Sequence, residues 1–532
     1  MHTQSAIRPT AAPDHRVLGR ALEALLTRRH LALVLLVAAY VALLVGVGLS
    51  RSYIGYHETD YMLFFVPDAE RFLAGEPMQG AFHPPLYPIL VAGAYALLGD
   101  WLAAGIAISF VFGLAALVGS YLLLLRLGGP SAAWGAALTL LGSFNFLDES
   151  ARASADVMFF ALFVGSCLLA LEALRSGSRR WWVACGLVVG LTMITRTNAP
   201  PLLLLALVPL LGSGPRGARA ANCLYPIAGI ALPLLVIAAY GTATGSQVWP
   251  ANNHLSLATS FYSEGDDRNS IDAALEVAGR FDSVTAVLLH DPVRIATTYL
   301  RDLYRLLSIE ITMLVEPPLY LMFLPGVFLL LAKRWSVGLA VVLGVTVAEI
   351  LLTNLKQFQP RYYLFLVPLL GAAVGQMCWH ILRTARATRW RTTFAPVLVL
   401  MFAAAVGLAF AKTYEGAERA TVELAQLVPA TVGRIEGGAA VLARKPHLAF
   451  YAGAKDIHLP DVDTFDQLHD LVRRHGAQTP LYLLYGEIEQ RLRPQFQALQ
   501  TAAGAPDWLE VVAESASPGQ WILYRYRPAP ID

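Results

Sequence analysis

Charged residues are scarce in this chain. Only 15% of its 532 residues are Asp, Glu, Lys or Arg, whereas ordinary soluble domains contain about 25%. Apolar residues make up 56% of the sequence. So little charge over this length excludes a soluble enzyme and a disordered scaffold. The formal net charge is +2, which gives no reason to expect nucleic acid as a partner.

Cysteine is rare as well, and its pattern excludes two kinds of site. The chain has four cysteines, all within apolar segments: Cys167, Cys185, Cys223 and Cys378. None lies in a candidate external loop, and no two have the CxxC spacing of a metal site. We therefore expect neither a disulfide framework nor a cysteine-bound metal, and interpret the four side chains as buried packing residues.

Long apolar runs dominate residues 31–412. A helix needs about 20 apolar residues to span a bilayer, and several of these runs are shorter. The twelve candidate segments lie near 31–50, 84–98, 101–125, 131–147, 157–174, 181–195, 199–212, 223–240, 313–332, 336–354, 361–380 and 395–412. Residues 1–30 carry five arginines, which the positive-inside rule places in the cytoplasm. The first run is therefore expected to be an uncleaved signal anchor.

The basic connections between the apolar segments predict the topology. The connection at 175–180 should also be cytoplasmic, so an even number of crossings must separate it from the N-terminus. Five apolar segments lie between them, and the shortest, 84–98, begins with two prolines. We predict that 84–98 does not cross, which leaves about eleven transmembrane helices. The loops 51–100 and 241–312 and the C-terminal residues 413–532 then lie outside.

Two aspartates stand where helices begin on this outer side. Asp60 precedes the amphipathic segment Tyr61–Ala74, and Asp156 directly precedes the apolar run 157–174. An aspartate in such a position is either a helix cap or a working base. The position alone favours the cap and leaves the base open.

Two arginines lie at predicted outer helix ends within apolar sequence. Arg196 stands in LTMITRTNAPP, and Arg361 stands in KQFQPRYYLFLVP. Charges at such depth are costly and usually mark a substrate path or an ion pair. Near the membrane boundary, phosphate recognition is a natural use of the guanidinium. The alternative is an arginine that merely extends to the interface.

These motifs together resemble the GT-C superfamily of membrane glycosyltransferases. More narrowly, they resemble the dolichyl-phosphate-mannose–protein mannosyltransferases and the bacterial aminoarabinose transferases. The most specific element is the run His83-Pro84-Pro85-Leu86-Tyr87-Pro88. The other matching stretches, in chain order, are Asp60, Phe72–Gly75, Ser154–Asp156, Gly190–Arg196, Arg361-Tyr362 with Pro368, and Ala443–Gly453. The resemblance covers most of 31–412 and implies a GT-C fold in the cytoplasmic (inner) membrane.

The resemblance also implies a reaction. A hexose or pentose is transferred from a polyprenyl-phosphate sugar to a glycan, lipid or protein acceptor on the outer face. Asp60 then corresponds to the general base, and Asp156 to a second catalytic aspartate that orients the sugar, the acceptor or Arg152. The expected substrate-binding residues are Glu58, His83, Arg152, Arg196, Arg361 and Tyr362, with Arg196 and Arg361 on the leaving phosphate. No cofactor is implied.

The first outer loop departs from the family pattern. The mannosyltransferases have an Asp-Glu pair there, whereas this chain reads Glu58-Thr59-Asp60. Asp60 is the residue that we align with the functional aspartate. The ExD spacing could place two carboxylates on a divalent ion, but two oxygens fall short of the near-octahedral set that Mg²⁺ requires. A metal is therefore not favoured.

Two other functions remain open at this point. A transporter or flippase for a lipid-linked glycan should show two related halves with broken helices near the midplane. We find no such repeat, and the acids gather at the outer edge. An O-antigen ligase or polymerase should carry its main functional residues in a large later loop.

The regions outside the apolar runs have recognisable patterns. Residues 413–532 read as a small extracytoplasmic α/β domain without a GxGxxG nucleotide motif. Its predicted strands are Ala439–Ala443, Leu481–Tyr485, Leu509–Ala513 and Trp521–Tyr526, and its predicted helices lie near 464–474 and 487–502. In the loop 241–312, an amphipathic helix is expected from Pro292 to about Leu307.

Overall fold

The computed structural model is mostly helical and ends in a small sheet. The residues that the structure describes are 29–49, 59–80, 82–213, 215–250, 252–263, 277, 279–332, 336–356, 358–385, 391–460, 462–477, 479–515 and 521–528. Glu58, one of the predicted substrate-binding residues, lies outside these ranges, as does the basic N-terminus 1–28.

The α-helices are numbered here in chain order. They are α1 (Arg29–Leu49), α2 (Val66–Ala74), α3 (Leu86–Leu98), α4 (Trp101–Gly128), α5 (Pro130–Leu141), α6 (Phe144–Ala151), α7 (Ala155–Ser176), α8 (Arg179–Met193), α9 (Arg216–Asn222), α10 (Leu224–Thr244), α11 (Asn253–Tyr262), α12 (Val284–His290), α13 (Pro292–Ser308), α14 (Tyr320–Leu331), α15 (Val337–Thr353), α16 (Val367–Ala385), α17 (Arg391–Thr431), α18 (His447–Ala452), α19 (Phe465–Gly476) and α20 (Glu487–Leu492). A π-helical turn, Tyr61–Phe65, leads into α2, and 3₁₀ helices of seven or more residues span Pro200–Leu211, Pro360–Leu366 and Pro494–Gln500.

Six helical stretches among the described residues are long and apolar enough to cross a membrane. They are His30–Gly48, Trp101–Gly128, Ala155–Ser176, Arg216–Thr244, Pro360–Ala385 and Thr393–Gly416. Four shorter apolar stretches accompany them: Leu86–Leu98, Pro200–Leu211, Pro317–Leu331 and Val337–Thr353. The predicted non-crossing segment 84–98 is among the short ones, with 13 residues in its helix. Eleven crossings and an outward C-terminus remain predictions.

The membrane helices pack closely where glycines meet. A Cβ on Gly135 of α5 would come within 2.3 Å of the Gly371 carbonyl oxygen of α16. A Cβ on Gly186 of α8 would come within 2.0 Å of the Pro226 carbonyl oxygen of α10. Small residues at such crossings let two backbones touch, which is how helices associate in a membrane without a hydrophobic driving force.

The C-terminal part forms a five-stranded sheet whose strand order is β2-β1-β3-β5-β4. The strands are β1 (Ala440–Ala443), β2 (Lys455–His458), β3 (Leu481–Tyr485), β4 (Leu509–Glu514) and β5 (Ile522–Tyr526). β1 pairs in parallel with β2 and β3, and β5 pairs antiparallel with β3 and β4. All four predicted strands are confirmed, whereas β2 was missed because its four residues, Lys-Asp-Ile-His, are mostly polar.

The helices predicted outside the apolar runs are all present, but one of them ends earlier than expected. The helix expected near 487–502 ends at Leu492, because Pro494 cannot continue it and starts a 3₁₀ helix instead. The predicted helices near 464–474 and from Pro292 are confirmed as α19 and α13. α17 runs without interruption across the predicted boundary at residue 413.

Candidate functional site

The centre of the site is a buried carboxylate between two arginines. Asp156 lies in the first turn of α7 with 4% of its side chain exposed. Its Oδ1 is 2.9 Å from Arg196 Nη2, and its Oδ2 is 3.6 Å from Arg361 Nε. The three residues are far apart in the chain, so the fold brings together the predicted aspartate and both predicted arginines. We call Asp156, Arg196, Arg361 and Tyr362 the arginine cluster.

Tyr362 joins the two arginines through its ring. The guanidinium carbons of Arg196 and Arg361 each lie 5.2 Å from the centroid of that ring. Cation–π attraction at this distance holds both planes while leaving guanidinium edges available for hydrogen bonds. Neither arginine extends freely from the protein surface, since only 13% of the Arg196 side chain and 20% of the Arg361 side chain are exposed.

Local structure explains how the cluster is assembled. Ser154 is the N-cap of α7, and its hydroxyl accepts a hydrogen bond from the Asp156 amide at 3.1 Å. Arg196 follows α8, in a turn whose Ile194 carbonyl accepts the Leu86 amide at 3.0 Å. That bond ties the run His83–Pro88 to the arginine turn. Arg361 is the second residue of a 3₁₀ helix that begins at Pro360, whose fixed φ suits the first helical position.

The interpretation of Asp156 as a helix cap is therefore wrong, because Ser154 is the cap and the aspartate pairs with Arg196 and Arg361. The other expectation, that Asp156 orients the sugar, the acceptor or Arg152, stays a prediction. Arg152 instead pairs with Asp148, at 3.3 Å, and with Glu149. A serine hydroxyl caps as well as a carboxylate does, which leaves Asp156 available to pair with the arginines.

Asp60 lies close to this cluster but in a more open position. Its side chain is 39% exposed, and its Oδ2 is 3.8 Å from His83 Nε2. It stands at the start of the π-helical turn yet makes no capping hydrogen bond with its side chain. The helix cap, which the position of Asp60 alone favoured, is therefore wrong, and its expected role as general base stays a prediction. His83 is held against the ring of Phe65, with centroids 4.6 Å apart.

The pKa values of Asp60 and His83 are shifted in opposite directions. Burial within the protein raises the pKa of Asp60, and the Asp156 charge raises it further, while Arg196, Lys445 and Arg152 oppose the rise. Burial lowers the pKa of His83 well below its ordinary value, with help from the charge of Arg196. His83 is therefore neutral at pH 7, and its contact with Asp60 is not an ion pair.

Lys356 is a functional candidate that the sequence reasoning missed. Its ammonium donates a hydrogen bond to Thr197 Oγ1 at 3.1 Å, one residue from Arg196. Burial and the charge of Arg196 lower the pKa of Lys356 to about 8, while the charge of Asp156 acts in the opposite direction. The signal was present, because Lys356 stands five residues before Arg361 in the same polar stretch.

A second acidic group supports the start of α7. Glu149 is buried and contacts both Arg152 and the Ser154 hydroxyl. Burial raises the pKa of Glu149 to about 7, although the charge of Arg152 opposes the rise. Ser154 is also held by Ser109, whose hydroxyl accepts the Ser154 amide at 2.9 Å. The cap of α7 is thus itself fixed on two sides.

No group of three or more His, Cys, Asp or Glu side chains that could hold a metal ion occurs within the described ranges. The four cysteines are free and buried, in agreement with the packing role expected for them. Of the predicted site residues, the structure brings Asp60, His83, Asp156, Arg196, Arg361 and Tyr362 into one region, with Arg152 at its edge.

Comparisons with known proteins agree with this architecture. Residues 82–240 match the family model described as dolichyl-phosphate-mannose-protein mannosyltransferase. That range includes His83, Arg152, Asp156 and Arg196 but neither Asp60 nor Arg361. No curated protein sequence matches the chain significantly.

The fold is similar to that of several solved membrane proteins. ArnT from Cupriavidus metallidurans bound to undecaprenyl phosphate is 14% identical at a TM-score of 0.50, over 92% of this chain and 97% of that one. The Archaeoglobus fulgidus oligosaccharyltransferase tethered with an acceptor peptide is 11% identical at a TM-score of 0.50, over 88% of this chain and 70% of that one.

A third similar structure is AglB, the oligosaccharyltransferase of Archaeoglobus fulgidus, in complex with an inhibitory peptide and a dolichol-phosphate. It is 13% identical at a TM-score of 0.50, over 93% of this chain and 74% of that one. Together with the family match, these likenesses confirm the resemblance to GT-C glycosyltransferases that the motifs predicted.

Proposed function

We propose that this protein transfers a sugar from a polyprenyl-phosphate donor to an acceptor hydroxyl, within the cytoplasmic membrane and at its outer face. The observation that carries the proposal is the arginine cluster beside an accessible carboxylate. Arg196, Arg361 and Lys356 supply three cationic groups around one buried acid, Asp156. This leaves an excess of positive charge that suits a phosphate.

The cluster is suited to the leaving group of such a reaction. When the bond between the anomeric carbon and the phosphate oxygen breaks, its electron pair stays on the phosphate, whose negative charge grows. Fixed cations aimed at that oxygen stabilise the charge as it develops. Asp156 keeps both guanidinium groups in place, and Lys356 adds a third donor next to Arg196.

Asp60 is suited to the other half of the reaction. As the acceptor oxygen attacks the anomeric carbon, its proton must be removed, and Asp60 takes it as general base. Burial raises the pKa of Asp60, which makes the carboxylate a stronger base than an exposed aspartate. His83, 3.8 Å away and neutral, can donate or accept a hydrogen bond there and so orient a sugar hydroxyl.

The likeness to solved structures supports the choice of a lipid-linked donor. One similar structure is bound to undecaprenyl phosphate and another to a dolichol-phosphate. A donor with a long lipid tail also explains why the site lies at the ends of membrane helices. We propose a hexose or pentose as the sugar, and a glycan, lipid or protein as the acceptor.

The proposal is tested by assaying Asp60→Asn for sugar transfer from polyprenyl-phosphate donors in proteoliposomes. The amide cannot accept the proton, so transfer should fall by a factor of about 10² to 10⁴. Asp100→Asn is the matched control, because Asp100 only caps α4 and asparagine caps equally well. Full transfer by Asp60→Asn would contradict the mechanism. Movement of the donor across the membrane without transfer would favour a flippase.

A further inference from the structure

The C-terminal domain reaches the proposed site through one short loop. β1 ends at Ala443, and the next residues, Arg444 and Lys445, lead into α18. Lys445 Nζ donates a hydrogen bond to Thr59 Oγ1 at 3.3 Å, across 386 residues of chain. Thr59 is the residue directly before Asp60.

The helix after this loop is docked onto the membrane domain. Phe450 and Tyr451 of α18 pack against an apolar cluster that contains Tyr61, Phe65 and Tyr87. Two of those residues belong to the π-helical turn that directly follows Asp60, and the third belongs to the run His83–Pro88. The domain therefore rests on the two segments that carry Asp60 and His83.

The loop itself is fixed from within the domain. The Glu489 carboxylate accepts the Arg444 amide at 3.0 Å with one oxygen and the Gly486 amide at 3.1 Å with the other. Glu489 is buried, so this clamp is shielded from water. Lys445 thus projects from the carboxyl end of a strand in the parallel part of the sheet, where α/β domains commonly place functional residues.

We infer that Lys445 is a positioning residue for catalysis, through which the C-terminal domain supplies a positive charge to the Asp60 side of the site. The inference rests on the proposed function, in which Asp60 is the general base. The groups that act on Asp60 come from several elements: His83 before α3, Arg152 and Asp156 at the start of α7, Arg196 after α8, and Lys445. Burial and Asp156 raise the pKa of Asp60, and the charge of Lys445 opposes them.

The experiment compares the pH dependence of kcat/KM for sugar transfer in full-length Lys445→Met, Lys445→Arg and Lys455→Met proteins. A general base must be deprotonated to act, so kcat/KM falls at acidic pH. The midpoint of this fall, the acidic limb, reports the pKa of the base in the free enzyme. Without the charge of Lys445 the pKa of Asp60 rises, so the limb of Lys445→Met should move up by about half a pH unit. Lys445→Arg should keep the wild-type limb. Lys455 is an exposed lysine of the same domain, and Lys455→Met should also keep it.

A second measurement removes any effect of folding on the comparison. Lys445→Cys places a thiol outside the apolar core, whereas the four native cysteines are buried. Alkylation with bromoethylamine restores an ammonium, and alkylation with iodoacetamide leaves a neutral amide on the same folded protein. The ammonium form should return the limb toward wild type relative to the neutral form.

These experiments distinguish the role of Lys445 from the role of Asp60 as general base. The role of Lys445 would be overturned if the acidic limb lay at the same pH in the two alkylated forms and the limb of Lys445→Met coincided with that of the wild type. Asp60 would then remain the proposed base. Full transfer by Asp60→Asn would instead overturn the proposed function itself, whatever the Lys445 variants do.

Discussion

Asp60 and Asp156 are the same residue type in one site, and their surroundings differ sharply. Asp156 is 4% exposed and lies between two guanidinium groups, at 2.9 Å and 3.6 Å. Asp60 is 39% exposed and has a neutral imidazole 3.8 Å away. A buried carboxylate between two guanidinium groups is held in place by both of them, whereas a partly exposed carboxylate without such partners is open to an acceptor group. This difference supports our proposal that Asp156 organises the arginines and that Asp60 transfers the proton.

Removing the Asp156 charge tests the first half of this comparison and should have the largest effect on stability. Asp156→Asn leaves two half-buried guanidinium groups next to each other without their shared, buried counter-ion. Breaking one partner of a buried pair typically costs about 3–5 kcal/mol. We expect a strong drop in the thermal unfolding temperature of the purified protein, together with loss of transfer. An unchanged unfolding temperature would contradict the structural role.

Arg361 tests whether the cluster recognises a phosphate or only carries charge. A lysine cannot reproduce the planar fork that holds a phosphate by two hydrogen bonds. Arg361→Lys should therefore lose nearly as much activity as Arg361→Ala, on the order of 2 kcal/mol or roughly 30-fold in kcat/KM. Equal activity of the lysine variant and the wild type at subsaturating donor would mean that Arg361 does not hold the phosphate in this way.

Lys356 should make donor binding depend on pH. Because burial and Arg196 lower the pKa of Lys356 to about 8, its ammonium is present below that pH and is lost above it. Donor binding to the free enzyme should weaken as the pH rises through about 8. Lys356→Met should raise the donor KM about tenfold at pH 7.

The pH dependence provides the internal control for Lys356. If donor binding weakens at alkaline pH because this ammonium loses its proton, the donor KM of Lys356→Met should not change as the pH rises through about 8. A donor KM that rises with pH equally in the wild type and in Lys356→Met would assign the effect to another group.

The smallest expected effect concerns the cap that frees Asp156 for pairing. Ser154→Ala removes the hydroxyl that accepts the Asp156 amide, which should cost about 1 kcal/mol of stability. Transfer should fall only a few-fold, because the two ion pairs still hold the carboxylate. Ser176→Ala, near the other end of α7 and exposed, is the matched control. A larger loss of transfer than in Arg361→Ala would contradict this ranking.

The sequence was informative about which residues are unusual and less so about how they pair. Asp156, Arg196 and Arg361 stood out because charges are rare in apolar sequence, and that rarity identified the cluster. Their mutual contacts depend on how α7, α8 and the helix from Pro360 pack, and a local pattern carries no information on that packing. For this reason the position of Asp156 alone suggested a cap, although the serine two residues earlier also fits that role.

Polar segments were harder to interpret than apolar ones. The apolar strand Leu481–Tyr485 was predicted with its observed bounds, and the other three predicted strands differ from theirs by one residue at one end. Lys455–His458 has no such pattern, because it is an edge strand with an exposed first residue. Lys356 and Lys445 were missed as site residues for the same reason. Lys356 stands close to Arg361 in the sequence, but a lysine in a polar stretch does not show which groups it will face in the fold.

The most direct test of the central claim measures donor binding and sugar transfer side by side in Asp60→Asn and Asp156→Asn. Both variants are reconstituted in the same vesicles with a polyprenyl-phosphate sugar, and folding is checked by thermal unfolding. The account predicts that Asp60→Asn binds the donor with near wild-type affinity but transfers almost no sugar, whereas Asp156→Asn loses donor binding. Loss of donor binding in Asp60→Asn with binding kept in Asp156→Asn would reverse the two assignments and contradict the account.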